Sequence, residues 1–362
     1  MLKTKYMRVK KRYILRTILI TLSVLDIGAG VFVAEQYYRW HICNFRSMDG
    51  EPHSYNIYAG ATIDSVLSII QEDYEISSMT DLNMHMRFLV FNHPEPGHYT
   101  FPAQIGDREL IERLKFGYQT PVRITWNNYV RTREELAGKV TTHLLMDSVT
   151  LLNYLEDEAF LTQYGMNKET SRCLFIPNTY EVYWNVTPER LFERMNKEYN
   201  IFWNTERRAK ADSIGLTPIE VAIIASIVEG ESHNPRELPI IASLYINRVH
   251  KGMHLQACPT VKYAVGDFKL KRVLYRHLAV DSPYNTYKYP GLPPGPIRCP
   301  APATMDIVLN APETDYLYMC ASPELNNTHI FSSSYGSHAA AAKQYRFTMD
   351  TINWDRVNAP QQ

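Results

Sequence analysis

The sequence predicts an α+β protein with an N-terminal transmembrane helix, a small strand–helix–helix–strand unit and a larger mixed α/β domain. Three observations carry this. A basic segment (Lys3, Lys5, Arg8, Lys10, Lys11, Arg12) precedes a mostly apolar run from Ile14 to Ala34. From residue 54 onward, helical and alternating apolar spacings follow each other at short intervals. The last third sets a nearly all-apolar helix before a long stretch rich in Pro, Tyr and Gly. The expected division is a basic cytoplasmic tail at 1–13, an anchor at 14–34, a tether at 35–53, a small unit at 54–120 and a large domain at 121–362.

The apolar run is interrupted by Arg16 and Asp26, yet Thr17 to Ala34 is long enough for one helical pass with slight bilayer adjustment. Asp26 near its middle costs about 3 kcal/mol on insertion scales, which the apolar neighbours must outweigh. The basic flank keeps the N-terminus in the cytoplasm and exports the remainder. A cleaved signal peptide, with Gly28–Ala29–Gly30 in its cleavage region, is the alternative. The length of the basic segment and of the run favours the uncleaved anchor.

Ser54–Tyr58 reads as a strand, and Thr62 caps a helix in which Ile63, Val66, Leu67, Ile69 and Ile70 are spaced for one buried face. A second helix runs from Thr80 to about Phe88, and Gly97–Phe101 returns as a strand. Strand, two helices, strand is the pattern of small carbohydrate-binding modules of the LysM kind, although the pattern alone is generic. Asp107–Phe116 reads as an amphipathic helix, Val122–Trp126 as a strand, and Thr132–Val140 and Ser148–Asp157 as helices. Cys173–Trp184 reads as strand and turn, and Leu191–Arg208 as one long helix with a solvated face.

Composition narrows the function classes. Of 362 residues 45% are hydrophobic, enough for one large or two modest cores. Lys plus Arg and Asp plus Glu each total 38, so the basic excess of a nucleic-acid binder is missing and no nucleic-acid partner is expected. The 25 tyrosines suit sugar binding and equally suit half-buried surfaces. The five cysteines form no CxxC pair, so neither a zinc site nor a redox motif is expected. Cys258 and Cys299 flank proline-rich segments; buried free thiols are favoured over a pairing between them. No phosphate-binding glycine loop stands out, so no cofactor is expected.

The chemistry concentrates in Thr217–Ser232, TPIEVAIIASIVEGES. Thr217 is a good N-cap, Pro218 fits the first helical position and Glu220 completes a capping box. Val221 to Val228 are almost wholly apolar, so the helix is buried on most sides. Glu229 sits at its end, before Gly230, which is expected to stop the helix. Burial and the negative end of the helix dipole both raise the pKa of such a carboxyl group. A carboxylic acid that keeps its proton near neutral pH is what glycosidic cleavage requires. The blander reading makes Glu229 the first polar residue after a core helix, and Glu231 competes for either role.

The next helix, about Leu238 to His250, carries Asn247 and Arg248 as polar cross-links. The loops Leu255–Tyr263 and Pro283–Pro296 offer amides and tyrosines of the kind that bind sugar hydroxyls, or that build turns.

The series SIVEGES, LYINR, GMHLQACPTVKY, YNTY, GLPPGPI, YLYMC and HIF resembles the endolytic murein transglycosylases, the MltG or YceG-like family. FPAQIGDRELIERLKFG and FIPNTYEVYW extend the resemblance over most of the chain beyond the anchor. The resemblance implies a single-pass inner-membrane protein with a LysM-like subdomain beside a periplasmic catalytic domain. It implies lytic cleavage of the β-1,4 bond between N-acetylmuramic acid and N-acetylglucosamine in nascent peptidoglycan strands, leaving a 1,6-anhydro end. Cell-wall synthases are the implied partners. The family's catalytic glutamate is taken to map to Glu229, with Glu231 as auxiliary, and Gln256, Thr260, Tyr263, Asn285, Tyr287 and His329 as substrate contacts. His338 aligns less securely. Gly230 stands where the family carries Lys, and Ala257–Cys258 where a Thr–Asp-like pair is common. Two rivals stay open: a hydrolase using Asp281 or Glu231 as base, and a non-catalytic wall-binding scaffold.

Overall fold

This computed structural model describes residues 2–270 and 272–358. The side chains of the expected tail at 1–13, and residues 359–362 of the expected large domain, lie outside the described residues. The chain divides into two compact units, Met1–Val122 with Tyr183–Asn185, and Arg123–Val182 with Val186–Gln362.

In the first unit α1 (Leu2–His41) is one unbroken helix, and its stretch Leu15–His41 is long and apolar enough to cross a membrane. The helix thus runs seven residues past the expected anchor. Those added turns read as polar in the sequence because they bind α3 (Met79–Phe88). Gln36 donates to Asp81 at 3.0 Å, Arg39 pairs with Asp81, and the Trp40 ring meets the edge of His85 at 4.4 Å.

The expected tether at 35–53 is therefore corrected. It carries the end of α1 and then β1 (Phe45–Ser47). A three-residue strand is too short to show an alternating pattern. The unit continues with β2 (His53–Ile57), α2 (Ile63–Ile70), β3 (Tyr74–Ile76), then β4 (Gly97–Phe101), β5 (Gln104–Ile105) and α4 (Asp107–Phe116). β2 and β4 pair antiparallel with Tyr55 opposite Tyr99, while β1 lies between β3 and β5. The strand–helix–helix–strand pattern is thus present, with a second small sheet added to it. Thr62 and Ser65 form a reciprocal cap on α2, and Val66, Leu67 and Ile70 join Phe45, Tyr74, Leu82, Phe101 and Ile111 in the core.

The second unit opens with β6 (Val122–Thr125), α5 (Arg133–Thr141), α6 (Ser148–Glu156) and α7 (Glu158–Thr162). A 3₁₀ turn at Ser171–Leu174 leads into β7 (Thr179–Val182), which pairs with β6. The single helix expected over Leu191–Arg208 is two, α8 (Pro188–Phe202) and α9 (Thr205–Ser213). The break falls where the Asn204 side chain caps Arg207 N–H, a local choice that helix-compatible flanking residues conceal.

α10 (Pro218–Glu231) carries the expected capping box, with Thr217 and Glu220 bonded to each other's backbone. It is followed by α11 (Leu238–His250), α12 (Cys258–Val265), α13 (Tyr275–Leu278) and α14 (Pro302–Leu309). The hairpin of β8 (Tyr318–Ala321) and β9 (His329–Ser332) precedes α15 (Tyr335–Asn358). α10 is the spine of this unit, buried from Val221 through Glu229 and packed by α11, α12 and α14.

Gly230 does not stop α10; it is helical, and the cap is Ser232. A Cβ at Gly230 would stand 2.6 Å from Cβ of Pro259, so a bare backbone is what lets the head of α12 lie against α10. The proline-rich loop 282–302 is held as tightly. A Cβ at Gly295 would meet the Glu169 carbonyl oxygen at 2.1 Å.

Candidate functional site

Residues two apart on a helix point about 200° away from each other. Glu229 and Glu231 therefore leave α10 on opposite sides, and each lines a different cavity.

Glu229 is 6% exposed. Its Oε1 accepts the Ala301 N–H at 2.8 Å, at the N-terminal end of α14, where orphan N–H groups and the helix dipole favour an acceptor. Oε2 is buried and has no hydrogen-bond partner among the described residues. Burial pushes this carboxyl above its ordinary range, against the Thr304 hydroxyl, the Ala301 N–H and the Arg298 charge. Its cavity, about 680 Å³ including the open mouth, is walled by Tyr129, Arg131, Lys262, Tyr263, Phe268 and Arg298 among others.

Glu231 is half-buried at the last turn of α10. Tyr245 of α11 donates to its Oε1 at 2.7 Å. Burial raises its pKa as well; Tyr245, His329, the Cys258 N–H and Lys262 work against the shift. Its cavity encloses about 900 Å³ to the mouth, and Gln256, Tyr287 and His329 lie on its wall. Tyr318 of β8 and Tyr335 and His338 of α15 add aromatic surface. Glu231 is the one carboxyl group on that wall among the described residues.

The surrounding side chains show how the cavity is held. Glu237 accepts both the His329 backbone N–H at 2.6 Å and its Nδ1 at 3.0 Å. Burial opposes the charge on Glu237, but those two bonds hold its pKa below the ordinary value. With Nδ1 committed to a carboxylate, the orientation of the ring is set. Arg248 of α11 donates to the carbonyls of His254, Leu255 and Leu317, and so ties the strand β8 side to the loop before α12. Asn247 does the same with Thr314 and Tyr316. Gln256 sits at φ +50 with its N–H on the Thr286 carbonyl, a left-handed backbone uncommon outside glycine and typical of sites where neighbours dictate the conformation.

Of the residues singled out from sequence, Glu231, Gln256, Tyr287 and His329 thus share one cavity, and Glu229 and Tyr263 share the other. Thr260 and Asn285 line neither, a correction to their expected role as contacts. Thr260 is fully buried against the Ala257 carbonyl and the Thr286 hydroxyl. Asn285, also fully buried, donates to the carbonyls of Leu278 and Val280 and so closes its own loop. Asp281 is exposed, and Lys288 holds its pKa low.

Sequence reasoning missed three arginines. Arg172 is fully buried and reaches the Tyr263 hydroxyl at 2.9 Å, and Arg298 and Arg131 flank Glu229's cavity. All five cysteines are free; Cys258 faces the Tyr287 hydroxyl at 3.4 Å. Among the described residues, no cluster of His, Cys, Asp and Glu is arranged to hold a metal ion.

A family model described as the YceG-like family matches residues 55–344. A protein of Bacillus subtilis named endolytic murein transglycosylase is 27% identical over 309 residues, which are 80% of this chain and 84% of that protein. A Streptococcus pneumoniae protein of the same name is 24% identical over 342 residues, 84% of this chain; the match spans 60% of that relative's length. The crystal structure of a YceG-like protein from Listeria monocytogenes superposes with a TM-score of 0.52 at 24% identity, over 80% of this chain and 98% of that one. That likeness is one of fold.

Proposed function

The chain belongs to the YceG-like family, and from that premise we propose that it is an endolytic murein transglycosylase whose acid/base is Glu231. The single observation that carries the assignment is the gathering of Gln256, Tyr287 and His329 around Glu231 in one open cavity. Glu229, by contrast, spends one oxygen on the end of α14.

In the proposed reaction, protonated Glu231 gives its proton to the glycosidic oxygen between N-acetylmuramic acid and N-acetylglucosamine as the C1–O bond breaks. The carboxylate then takes the proton of the muramyl C6 hydroxyl while O6 bonds to C1. The product is a 1,6-anhydro end, and no water is consumed. One carboxyl group serves both steps because the nucleophile belongs to the substrate, so the second carboxyl group of ordinary glycoside hydrolases is not needed. Burial supports the role by keeping Glu231 protonated to higher pH than a free glutamate.

The reading places α1 in the inner membrane and the second unit in the periplasm, beside nascent strands and the synthases that make them. The first unit, with its paired β2 and β4, is the proposed LysM-like glycan-binding part.

The test is cleavage of purified sacculi by wild type, Glu231→Gln and Glu229→Gln, with anhydro-muropeptides read by mass spectrometry. The second reading keeps Glu229 as the acid. Its raised pKa and unpartnered Oε2 favour it, and a silent Glu231→Gln with a dead Glu229→Gln would establish it. Oxygen from labelled water in a reducing end would instead make the enzyme a hydrolase. Glycan binding with no cleavage by the wild type would make it a scaffold.

A further inference from the structure

The cavity beside Glu229 has no task in the reaction above, yet it is chemically incomplete. Glu229 and Arg298 are 6% and 9% exposed, and among the described residues Oε2 of the one and Nε of the other have no hydrogen-bond partner. Leaving such buried groups unpaired is costly, and a ligand that completes them removes the cost. Arg131 and Lys262 add two further cations to the wall, on which Glu229 is the one carboxyl group among the described residues. Arg131 lies over the Phe268 ring at 5.0 Å. The cavity therefore asks for an anion that also brings a donor.

A glycan chain of N-acetylated sugars is uncharged along its backbone and cannot meet that demand. The peptide carried by the muramyl lactyl group can, since it bears carboxylates, amide N–H groups and an ammonium. The two cavities are also neighbours through α12. Its first residue, Cys258, lines Glu231's cavity, while Pro259 and Lys262 line the other. The Lys262 charge reaches Glu231. The head of α12 is thus an element that the two walls share.

We propose that the cavity walled by Arg131, Lys262, Arg298 and Glu229 is a subsite for the peptide stem of the strand being cut. The stem's carboxylates lie against the three cations, and an amide N–H or ammonium against Oε2 of Glu229. The proposal rests on the murein reading above and deepens it, making a peptide-bearing strand the preferred substrate.

The experiment measures binding rather than cleavage, so it does not depend on which glutamate is the acid. Full-length protein in detergent is titrated by calorimetry with the free tetrapeptide L-alanyl-γ-D-glutamyl-meso-diaminopimelyl-D-alanine. Saturable binding is expected, weakened about tenfold or more by Lys262→Glu and by Arg131→Glu, since like-for-opposite charge exchange at a contact is worth a kcal/mol or more. Glu231→Gln binds the peptide as wild type does, whatever its effect on cleavage. Absence of saturable binding to wild type overturns the proposal. So does equal binding by charge-reversed variants that melt like wild type. A reversed variant that melts early is replaced by Lys262→Gln, read against the same two outcomes.

Discussion

Glu229 and Glu231 share a helix, a raised pKa and a cavity each, but they differ in what already holds them. Glu229 is joined to the backbone at the head of α14 and faces a cationic wall. Glu231 is oriented by a tyrosine hydroxyl and faces amide, phenol and imidazole groups. Desolvation acts on both, so a raised pKa does not by itself distinguish an acid catalyst from a buried cap. The company of each carboxyl group does.

The sharpest way to break this comparison is to neutralise each in turn. Glu231→Gln is expected to lower strand cleavage by about 10²–10⁴-fold, the usual worth of a general acid, and Glu229→Gln by about tenfold or less. Initial rates of anhydro-muropeptide release decide it, and the opposite ranking would exchange the two roles. On the same reading, wild-type activity falls on the alkaline side as Glu231 loses its proton.

A smaller loss is expected on the Glu231 side when the support of His329 is removed. Glu237→Gln replaces a charge-assisted pair worth about 1.5–3 kcal/mol, so kcat falls about 10- to 100-fold and the melting temperature drops by several degrees. An equal loss in Glu237→Gln and in a control at exposed Asp281 would sever His329 from the site.

On the Glu229 side the expected effects are on stability. Gly295→Ala drives a methyl group into the Glu169 carbonyl, and overpacking of this kind costs about 1–3 kcal/mol, read as a lower denaturation midpoint. The smallest effect is a trend with pH. Burial raises the folded-state pKa of Glu229 above its unfolded value, so its contribution to stability is complete below the unfolded pKa and is lost as pH rises through the folded one. Glu229→Gln lacks that loss. Its melting temperature, relative to wild type, should therefore rise from about pH 4 to pH 8.

Much of this was legible in the chain. The start of α10 follows from Thr217, Pro218 and Glu220, which act locally, and the burial of its middle follows from an unbroken apolar run. Its end did not, because Gly230 reads as a terminator and serves as a contact for Pro259, a residue 29 positions on. That one point matters for the site, since the direction of Glu231 depends on the helix continuing through it. Thr260 and Asn285 look like sugar ligands from residue type alone; only the folded loops show their partners to be carbonyls and a threonine of the same unit. Arg172, Arg298 and Arg131 carry no periodic signal, and their surroundings are set by segments far apart in sequence. The last turns of α1 were hidden for a related reason, since Gln36 and Arg39 there are met by Asp81 on another helix, and β1 was hidden because three residues show no alternation.

The join between α1 and β1 has a mechanical consequence. Only Ile42, Cys43 and Asn44 separate the last helical residue from the sheet, and Asn44 is itself pinned to the Ser78 carbonyl and to Asp107. Three residues span about 10 Å at most, and here they have no slack to give. On the proposed reading, in which α1 sits in a bilayer, the first unit is a collar on a post rather than a float on a line.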